Sequence, residues 1–316
     1  MSFFNKKKIL ITHNGCFHAD DLFACATLVL WCEKKKQSFK IIRTRDEEKI
    51  KNADIVFDVG GIYNDELNRF DHHQKGGAGK RLITSIIMRE NSIEYSSFGL
   101  IWKKFGPELC SGDMEVWKKI DSRIVAPIDA GDNGIDIIIP KFEDIIPYEV
   151  SQAFLAFSPT WKESNSNIDD IFVNQVYSVK KIIEREIKVT TDDEEAKQII
   201  INVYNKSSDK KIIILENSFP RYLYQSTLSK LQKPIYVVLP SSQGNYWKVE
   251  AIIKGLGTYE SRKLLPESWR GFLDNDPKLA KITGVPDVFF CHRSGFLIGA
   301  KSKEGAIKLA EKALLA

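Results

Sequence analysis

The chain has 316 residues, of which 43% are hydrophobic and 28% are charged, and its formal net charge is +4. This length exceeds one ordinary core and fits two domains, and the small net charge argues against general polyanion binding by bulk electrostatics. No apolar run approaches the roughly 20 residues of a membrane-spanning helix, so we expect no membrane partner.

The amino terminus and the cysteines indicate an intracellular protein. The chain enters a strand-like segment at residues 9–11 without an apolar signal region or an Arg- and Ser-rich transit segment. The five cysteines are odd in number and show no paired spacing, which is typical of free thiols in a reducing compartment. We expect a cytoplasmic or nuclear location without secretion or evident mitochondrial targeting, and the oligomeric state stays open.

Strand-like and helical patterns alternate through the first 130 residues. This alternation predicts an α/β domain with a mainly parallel sheet flanked by helices. The predicted strands are 8–13, 39–42 and 54–58, and the predicted helices contain 22–31, 46–53, 96–105 and 114–128.

Prolines and a Ser/Asn-rich run between residues 135 and 167 indicate a domain junction. We therefore predict an N-terminal domain at 1–163 and a smaller C-terminal mixed α/β domain at 164–316. The second domain's predicted elements are a helix from 168 that breaks near 190–193, strands at 211–216, 235–239 and 247–253, a strand or hairpin at 289–299, and a closing helix at 302–315.

Four of the five histidines lie in two short clusters beside aspartates. The first cluster follows the first strand and a further aspartate ends the third, so parallel pairing would bring both to the sheet edge where α/β proteins bind ligands. Divalent cations with catalytic work prefer carboxylates and imidazoles together, and two ions need a bridging carboxylate. Any one of these segments alone is more often a helix cap or a polar segment in contact with solvent. Here four such segments occur in one chain, each at a strand end or a turn. The candidates are His13, His18, Asp20, Asp58, Asp71, His72, His73, Asp129 and Asp132, and spacing does not decide between the last two.

The order of these residues resembles the DHH phosphoesterase superfamily, which includes exonucleases, inorganic pyrophosphatases and small-oligonucleotide hydrolases. Longer segments resemble the melanocyte-proliferating-gene family within it, whose members are described as metal-dependent hydrolases and linked to 3′-to-5′ RNA exonuclease activity. The resemblance covers most of the chain. The matching segments are 12–20, 70–73, 97–102, 128–134, 260–263, 266–271 and 292–296.

The resemblance implies a DHH-like catalytic domain that binds two ions, Mn²⁺ or Mg²⁺, with Zn²⁺ also open. It implies that Asp58 bridges the ions, that His73 faces the phosphate and that Asp71 orients the histidine pair. The implied metal ligands are His13, His18, Asp20, Asp58, His72 and Asp129 or Asp132. The chain departs from the superfamily's His-x3-Asp-x-Asp motif, because His18 stands where an aspartate is usual and softens the ligand set.

In the second half, a turn of His292, Arg293, Ser294 and Gly295 can present a guanidinium and backbone N–H groups to a phosphate. Arg262 and Lys263 add a second basic segment. Basic turns are more often simply solvated, but the resemblance implies that these residues bind the substrate.

The leading hypothesis is a metal-dependent phosphoesterase, a 3′-to-5′ exonuclease whose partner is a phosphodiester substrate, RNA. A second hypothesis is hydrolysis of a small phosphate substrate, pyrophosphate or a dinucleotide. A third is a non-catalytic protein that binds RNA or another partner in a metal-dependent way. The sequence does not choose the substrate's length, RNA over DNA, or the metal.

Overall fold

The computed structural model describes residues 6–81, 92–142, 144–163, 167–273 and 275–316. The chain forms two compact units, Met1–Thr191 (unit 1) and Asp192–Ala316 (unit 2). The division thus follows residue 191 and not the predicted residue 163.

The later position of the division is explained by the long helix α7, Ile168–Lys206. This helix runs without the break predicted near residue 190. In its first half, Phe172, Val176, Val179 and Ile183 are spaced four, three and four residues apart, which places them on one helix face. All four are buried in the core of unit 1. The first turns of α7 therefore belong to the first unit.

Unit 1 contains a five-stranded sheet in the order β2-β1-β3-β5-β4. In this order the neighbouring strands β2, β1, β3 and β5 are parallel, as predicted, and β4 at the edge runs antiparallel to β5. The strands are β1 Lys8–Thr12, β2 Phe39–Arg43, β3 Ile55–Phe57, β4 Tyr63–Asn64 and β5 Arg69–Phe70. The last two have two residues each, too short to produce an alternating pattern, and were not predicted.

The helices of unit 1 before α7 are α1 Ala19–Lys34, α2 Glu47–Lys51, α3 Ser97–Leu109, α4 Met114–Ile120, α5 Ala126–Asp132 and α6 Val150–Leu155. A π-helical turn, Asp121–Val125, joins α4 to α5. α1 is buried along most of its length and packs against α3, which explains why its sequence is an almost continuous apolar run. This packing fixes the first turn of α1 beside the end of β1.

Unit 2 contains a second five-stranded sheet, in the order β6-β7-β8-β10-β9. Only β6 and β7 are parallel, and residues 289–299 form a hairpin, so the predicted mixed α/β fold is confirmed. The elements are β6 Ile212–Ile214, α8 Arg221–Leu228, β7 Tyr236–Pro240, β8 Trp247–Ala251, α9 Pro277–Thr283, β9 Val288–Cys291, β10 Leu297–Ala300 and α10 Lys303–Leu315. Within the described ranges of both units, no helix combines the length and the apolarity needed to cross a bilayer.

Candidate metal centre

Three neighbouring parallel strands of unit 1 end in ionisable side chains. His13 follows β1, Asp58 follows β3, and Asp71, His72 and His73 follow β5. Because these strands run in the same direction, their carboxyl ends meet at one edge of the sheet. His13 Nε2 and Asp58 Oδ2 are 3.2 Å apart, and His72 Nε2 is 3.5 Å from Asp58 Oδ1.

The first turn of α1 adds two carboxylates to this edge. The chain turns after β1 and begins α1 immediately after His18, whose backbone N–H donates to Asp21 Oδ1 at 2.9 Å. This capping contact holds Asp20 and Asp21 in the first helical turn, where the positive end of the helix dipole stabilises carboxylates. Asp21 Oδ2 lies 3.2 Å from His13 Nε2.

Backbone geometry fixes the carboxylates after β3 and β5. Asp58 has φ +55°, a left-handed conformation that aspartate tolerates better than most residues, and Gly60 and Gly61 continue the turn with φ +98° and +69°. Gly61 N–H donates to Asp71 Oδ2 at 2.5 Å, and Asp71 Oδ1 lies 2.6 Å from His73 Nδ1. Asp71 therefore ties the turn to the imidazole of His73.

The ionisable side chains form three overlapping groups in which one ligand atom from each residue lies within 4.8 Å of the others. The groups are His13–His18–Asp58, Asp58–His72–His73 and Asp20–His72–Asp132. Asp58 and His72 each belong to two groups. A shared carboxylate is what two adjacent cations require.

The two aspartates of α5 have different surroundings, although they are one helical turn apart. Asp132 Oδ2 lies 3.3 Å from His72 Nε2, within the cluster. Asp129 is fully buried, and its Oδ2 accepts a hydrogen bond from Arg81 Nε at 2.7 Å. Arg81 also pairs with Asp121. The geometry therefore places Asp132 at the candidate site and pairs Asp129 with Arg81.

A buried hydrogen-bond network supports Asp20 from the side of α3. Ser96 Oγ lies 2.5 Å from Asp20 Oδ1 and 2.6 Å from Asp129 Oδ1. Phe98 N–H donates to Asp20 Oδ1 at 2.6 Å, and Gly99 N–H donates to Asp129 Oδ1 at 3.1 Å. A Cβ at Gly99 would lie 2.2 Å from Asp129 Oδ2, so a side chain there would collide with the network. The two aspartates thus satisfy the free N–H groups that begin α3.

Asp21, Arg81 and Ser96 are not among the site residues predicted from sequence. Asp21 has a recognisable local pattern, because a carboxylate three residues after a helix-starting residue is typical of capping. Ser96 is the first residue of a predicted helix, but its contact with Asp20 spans 76 residues. Arg81 reaches Asp129 across 48 residues and has no local signal.

The electrostatics of the cluster are those of crowded, buried charges. Burial lowers the pKa of His13, but contacts with Asp21 and Asp58 outweigh it and raise the pKa to about 10. Burial also raises the pKa of Asp58, but the close imidazoles of His13 and His72 outweigh it and lower the pKa. For Asp20, burial and repulsion from Asp58 raise the pKa. A cation would relieve this repulsion between carboxylates.

Three buried atoms of the cluster make no regular hydrogen bond. In the described part of the chain these are Asp20 Oδ2, Asp21 Oδ2 and His72 Nε2, although the last two lie 3.2–3.5 Å from oppositely charged or ionisable groups of the cluster. Buried polar atoms are normally satisfied, and all three are atom types that coordinate divalent metals. The residues present therefore fit a metal centre.

The cluster lines a cleft of about 1440 Å³ in unit 1. The exposed Arg45 and Arg123 also line this cleft, and Arg123 Nη2 lies 3.4 Å from Glu186 Oε2. Apolar side chains from residues 124–138 and 147–155 form another part of the wall of this cleft.

The basic pair predicted to bind substrate in unit 2 is engaged by the chain itself. Arg262 Nη2 donates to the carbonyl of Ser229 at 2.6 Å and Nη1 to that of Pro234 at 2.8 Å. Lys263 Nζ donates to the carbonyl of Leu314 at 2.8 Å. These contacts fasten loops of unit 2 and engage both side chains with backbone carbonyls.

The turn after β9 has a different character. His292 Nδ1 accepts a hydrogen bond from Ser294 N–H at 3.1 Å, and Gly295 has φ +70° with no room for a Cβ beside Arg270 Nε. The side chain of Arg293 is exposed at the tip of this turn. The turn is therefore ordered by its own contacts and presents a guanidinium to solvent.

Comparison with known proteins gives a consistent family. The profile MYG1_exonuc, described as an uncharacterised protein family (UPF0160), matches residues 9–314. A MYG1 protein of Caenorhabditis elegans is 30% identical over 327 residues, which cover 96% of this chain and 94% of that protein. The MYG1 exonuclease of Bos taurus is 30% identical over 330 residues, covering 96% and 84% respectively.

Among solved structures, RecJ from Thermus thermophilus in complex with Mn²⁺ aligns over 98% of this chain and 52% of its own, with 12% identity and a TM-score of 0.28. An exopolyphosphatase-related protein from Bacteroides fragilis aligns over 98% and 92%, with 12% identity and a TM-score of 0.23. TM-scores of this size do not establish a shared fold. The family profile, in contrast, extends over nearly the whole sequence. The chain belongs to the MYG1 exonuclease family, UPF0160.

Proposed function

We propose that this protein is a divalent-metal-dependent phosphoesterase that removes nucleotides from the end of a nucleic-acid strand, acting on RNA in the 3′-to-5′ direction. The observation that carries the proposal is the set of three ligand groups sharing Asp58 and His72 on the wall of one cleft. Relatives named exonucleases support nuclease chemistry. RNA and the direction of attack rest on the motif resemblance.

The proposed metals are two Mn²⁺ or Mg²⁺ ions, because the carboxylates of the donor set suit hard cations; its imidazoles leave Zn²⁺ open. The residues that would hold them are His13, His18, Asp20, Asp58, His72 and Asp132. When bound, such ions supply Lewis acidity and an activated water for attack on phosphorus. Asp58 is the proposed bridge, because it belongs to two groups and its lowered pKa keeps it ionised at neutral pH.

His73 is the proposed contact to the substrate phosphate. Its side chain is 62% exposed, and the 2.6 Å contact with Asp71 occupies Nδ1. An ionised Asp71 accepts from Nδ1–H, so this contact selects one tautomer and leaves Nε2 for the substrate. Asp71 therefore acts as a positioning residue. For His13 the corresponding contact is that of Nδ1 with the Asn14 carbonyl at 3.1 Å, whereas Asp21 lies 3.2 Å from the same Nε2 that faces Asp58.

Unit 2 contributes a second proposed phosphate contact through Arg293. An exposed guanidinium on an ordered turn can bind two phosphate oxygens at once. His292, Ser294 and Gly295 shape the turn that presents it. This proposal concerns strand binding and assigns no chemical step to the turn.

The test is release of mononucleotides from end-labelled RNA by the full chain with Mn²⁺, with Mg²⁺, with Zn²⁺ and with a chelator, beside hydrolysis of pyrophosphate. The expected result is metal-dependent, stepwise shortening from the 3′ end. Faster hydrolysis of pyrophosphate than of RNA would instead support the small-substrate hypothesis. Metal-dependent RNA binding without any cleavage would support a non-catalytic role.

A further inference from the structure

The cleft that contains the ionisable cluster also has an apolar wall in unit 1. Its side chains come from two segments, one that directly follows α5 and one that begins at Pro147 and includes α6. The side chains used below are Ile137, Ile138, Pro147, Tyr148, Val150 and Leu155.

These apolar side chains are accessible although unit 1 has a well-filled core. Tyr148 is 72% exposed, Ile137 51% and Leu155 41%. Single exposed apolar residues are ordinary, but several of them lining one cleft are typical of a binding site. The wall therefore needs an occupant with apolar surface of its own.

Tyr148 lies just before the start of α6. The Gln152 carbonyl accepts a long contact from the Tyr148 hydroxyl at 3.4 Å, and the next residue, Glu149, donates its N–H to Gln152 Oε1 at 2.9 Å. The ring therefore lies beside the first turn of α6, with most of its surface accessible to a ligand.

The neighbouring chemistry narrows the choice of occupant. Inorganic phosphate and pyrophosphate carry charge on every face and would leave the apolar wall unused. A nucleotide combines an anionic phosphate with a flat base whose faces stack on aromatic rings and pack against aliphatic side chains. The volume of about 1440 Å³ exceeds the roughly 300–1,000 Å³ of most small-ligand pockets, so it accommodates a nucleotide and part of a strand.

We infer that the apolar wall of the cleft is a nucleobase subsite, in which the base of the terminal nucleotide packs on Tyr148 and the neighbouring aliphatic residues. The inference rests on the proposed function for the placement of the phosphate at the ionisable cluster. It goes further by selecting nucleotides over phosphate compounds without a base. Because stacking uses the face of a base and not its hydrogen-bonding edge, the subsite tolerates all four bases.

The experiment compares binding of AMP and ribose 5-phosphate to the full chain by calorimetry, using wild type, Tyr148→Ala and Tyr148→Phe. Wild type should bind AMP about tenfold more tightly than ribose 5-phosphate, in the range reported for base stacking. Tyr148→Ala should abolish most of this preference, and Tyr148→Phe should retain it. Leu155→Asn, an exposed position, should weaken AMP binding independently. Tyr259→Ala, at an exposed tyrosine of unit 2, is the matched control and should bind as wild type.

Equal binding of AMP and ribose 5-phosphate by wild type would overturn the subsite, as would an unchanged preference in Tyr148→Ala. A third result would also overturn the subsite: wild type is a dimer, and Leu155→Asn dissociates the dimer without changing AMP binding. The apolar wall would then bind a second copy of the chain. The two proposals fail separately. RNA hydrolysis without a preference for AMP leaves the phosphoesterase standing, and an AMP preference without hydrolysis of any phosphodiester leaves the subsite standing.

Discussion

The two units each contain a five-stranded sheet, and the candidate metal-ligand groups found among the described residues all lie at one edge of the sheet of unit 1. In unit 1, β1, β3 and β5 are parallel neighbours, so the residues that follow them converge. In unit 2 most neighbouring strands are antiparallel, and successive strand ends fall at opposite edges. Strand direction therefore decides whether side chains far apart in sequence form one site.

The contacts of charged residues also differ between the two units. In unit 1, carboxylates and imidazoles face one another across 3.2–3.5 Å. In unit 2, Arg262 and Lys263 bond to backbone carbonyls. The cluster of carboxylates and imidazoles in unit 1 is suited to binding a cation. The two basic side chains of unit 2 hold loops in place. Variants in each unit should therefore show different losses.

The largest expected effect is that of Asp58→Asn. Removing the shared carboxylate weakens two ligand groups at once, so phosphodiester hydrolysis should fall on the order of 10³-fold or more. Asparagine preserves the size of the side chain and tolerates the left-handed backbone, so the fold should remain. Steady-state kinetics and circular dichroism measure the two effects. Asp46→Asn, at an exposed helix cap, should behave as wild type. Full activity of Asp58→Asn would remove the basis for a shared site.

The next effect separates the two aspartates of α5. Asp132→Asn should lower kcat/KM by more than the roughly 10- to 100-fold typical of losing an outer partner of a metal ligand, with little change in stability. Asp129→Asn should instead destabilise the fold by about 3 kcal/mol, because it removes the more deeply buried of the two carboxylates that pair with Arg81. Urea unfolding and kinetics on both variants provide the comparison. The opposite pattern would make Asp129 the functional residue.

Ser96→Ala should have an intermediate effect. The hydroxyl contacts Asp20 and Asp129, so its loss should free Asp20 to move and lower activity roughly ten- to a hundredfold. The expected signature is a weaker apparent affinity for Mn²⁺ in activation curves, with activity partly restored at high metal concentration. Ser97→Ala is the matched control. A loss that excess metal does not restore would show that Ser96 acts elsewhere.

The smallest effect is expected in unit 2. Arg293→Ala should raise KM for RNA about tenfold with metal content unchanged, as expected for one lost charge-assisted phosphate contact. Lys263→Ala, which removes a contact to the chain's own backbone, should leave KM unchanged. If Arg293→Ala has wild-type kinetics, the turn after β9 has another task.

The parts of the molecule that sequence could predict are those governed by local patterns. The parallel sheet followed from alternating strands and helices, and the position of Asp58 followed from its place at a strand end. The predicted boundary at residue 163 differs from the division after residue 191, because the prolines near residue 140 lie inside unit 1 and the apolar face of the first half of α7 packs into the core of unit 1. The partners of Asp129 and Asp20 lie 48 and 76 residues away, and only the folded chain brings them together.

The most direct measurement is the number of Mn²⁺ ions bound per chain, determined by atomic emission after equilibrium dialysis of wild type and Asp58→Asn. Two ions per wild-type chain are expected, and Asp58→Asn should lose at least one of them. The same stoichiometry in both proteins, or the absence of bound metal in wild type, would contradict a metal centre built around Asp58.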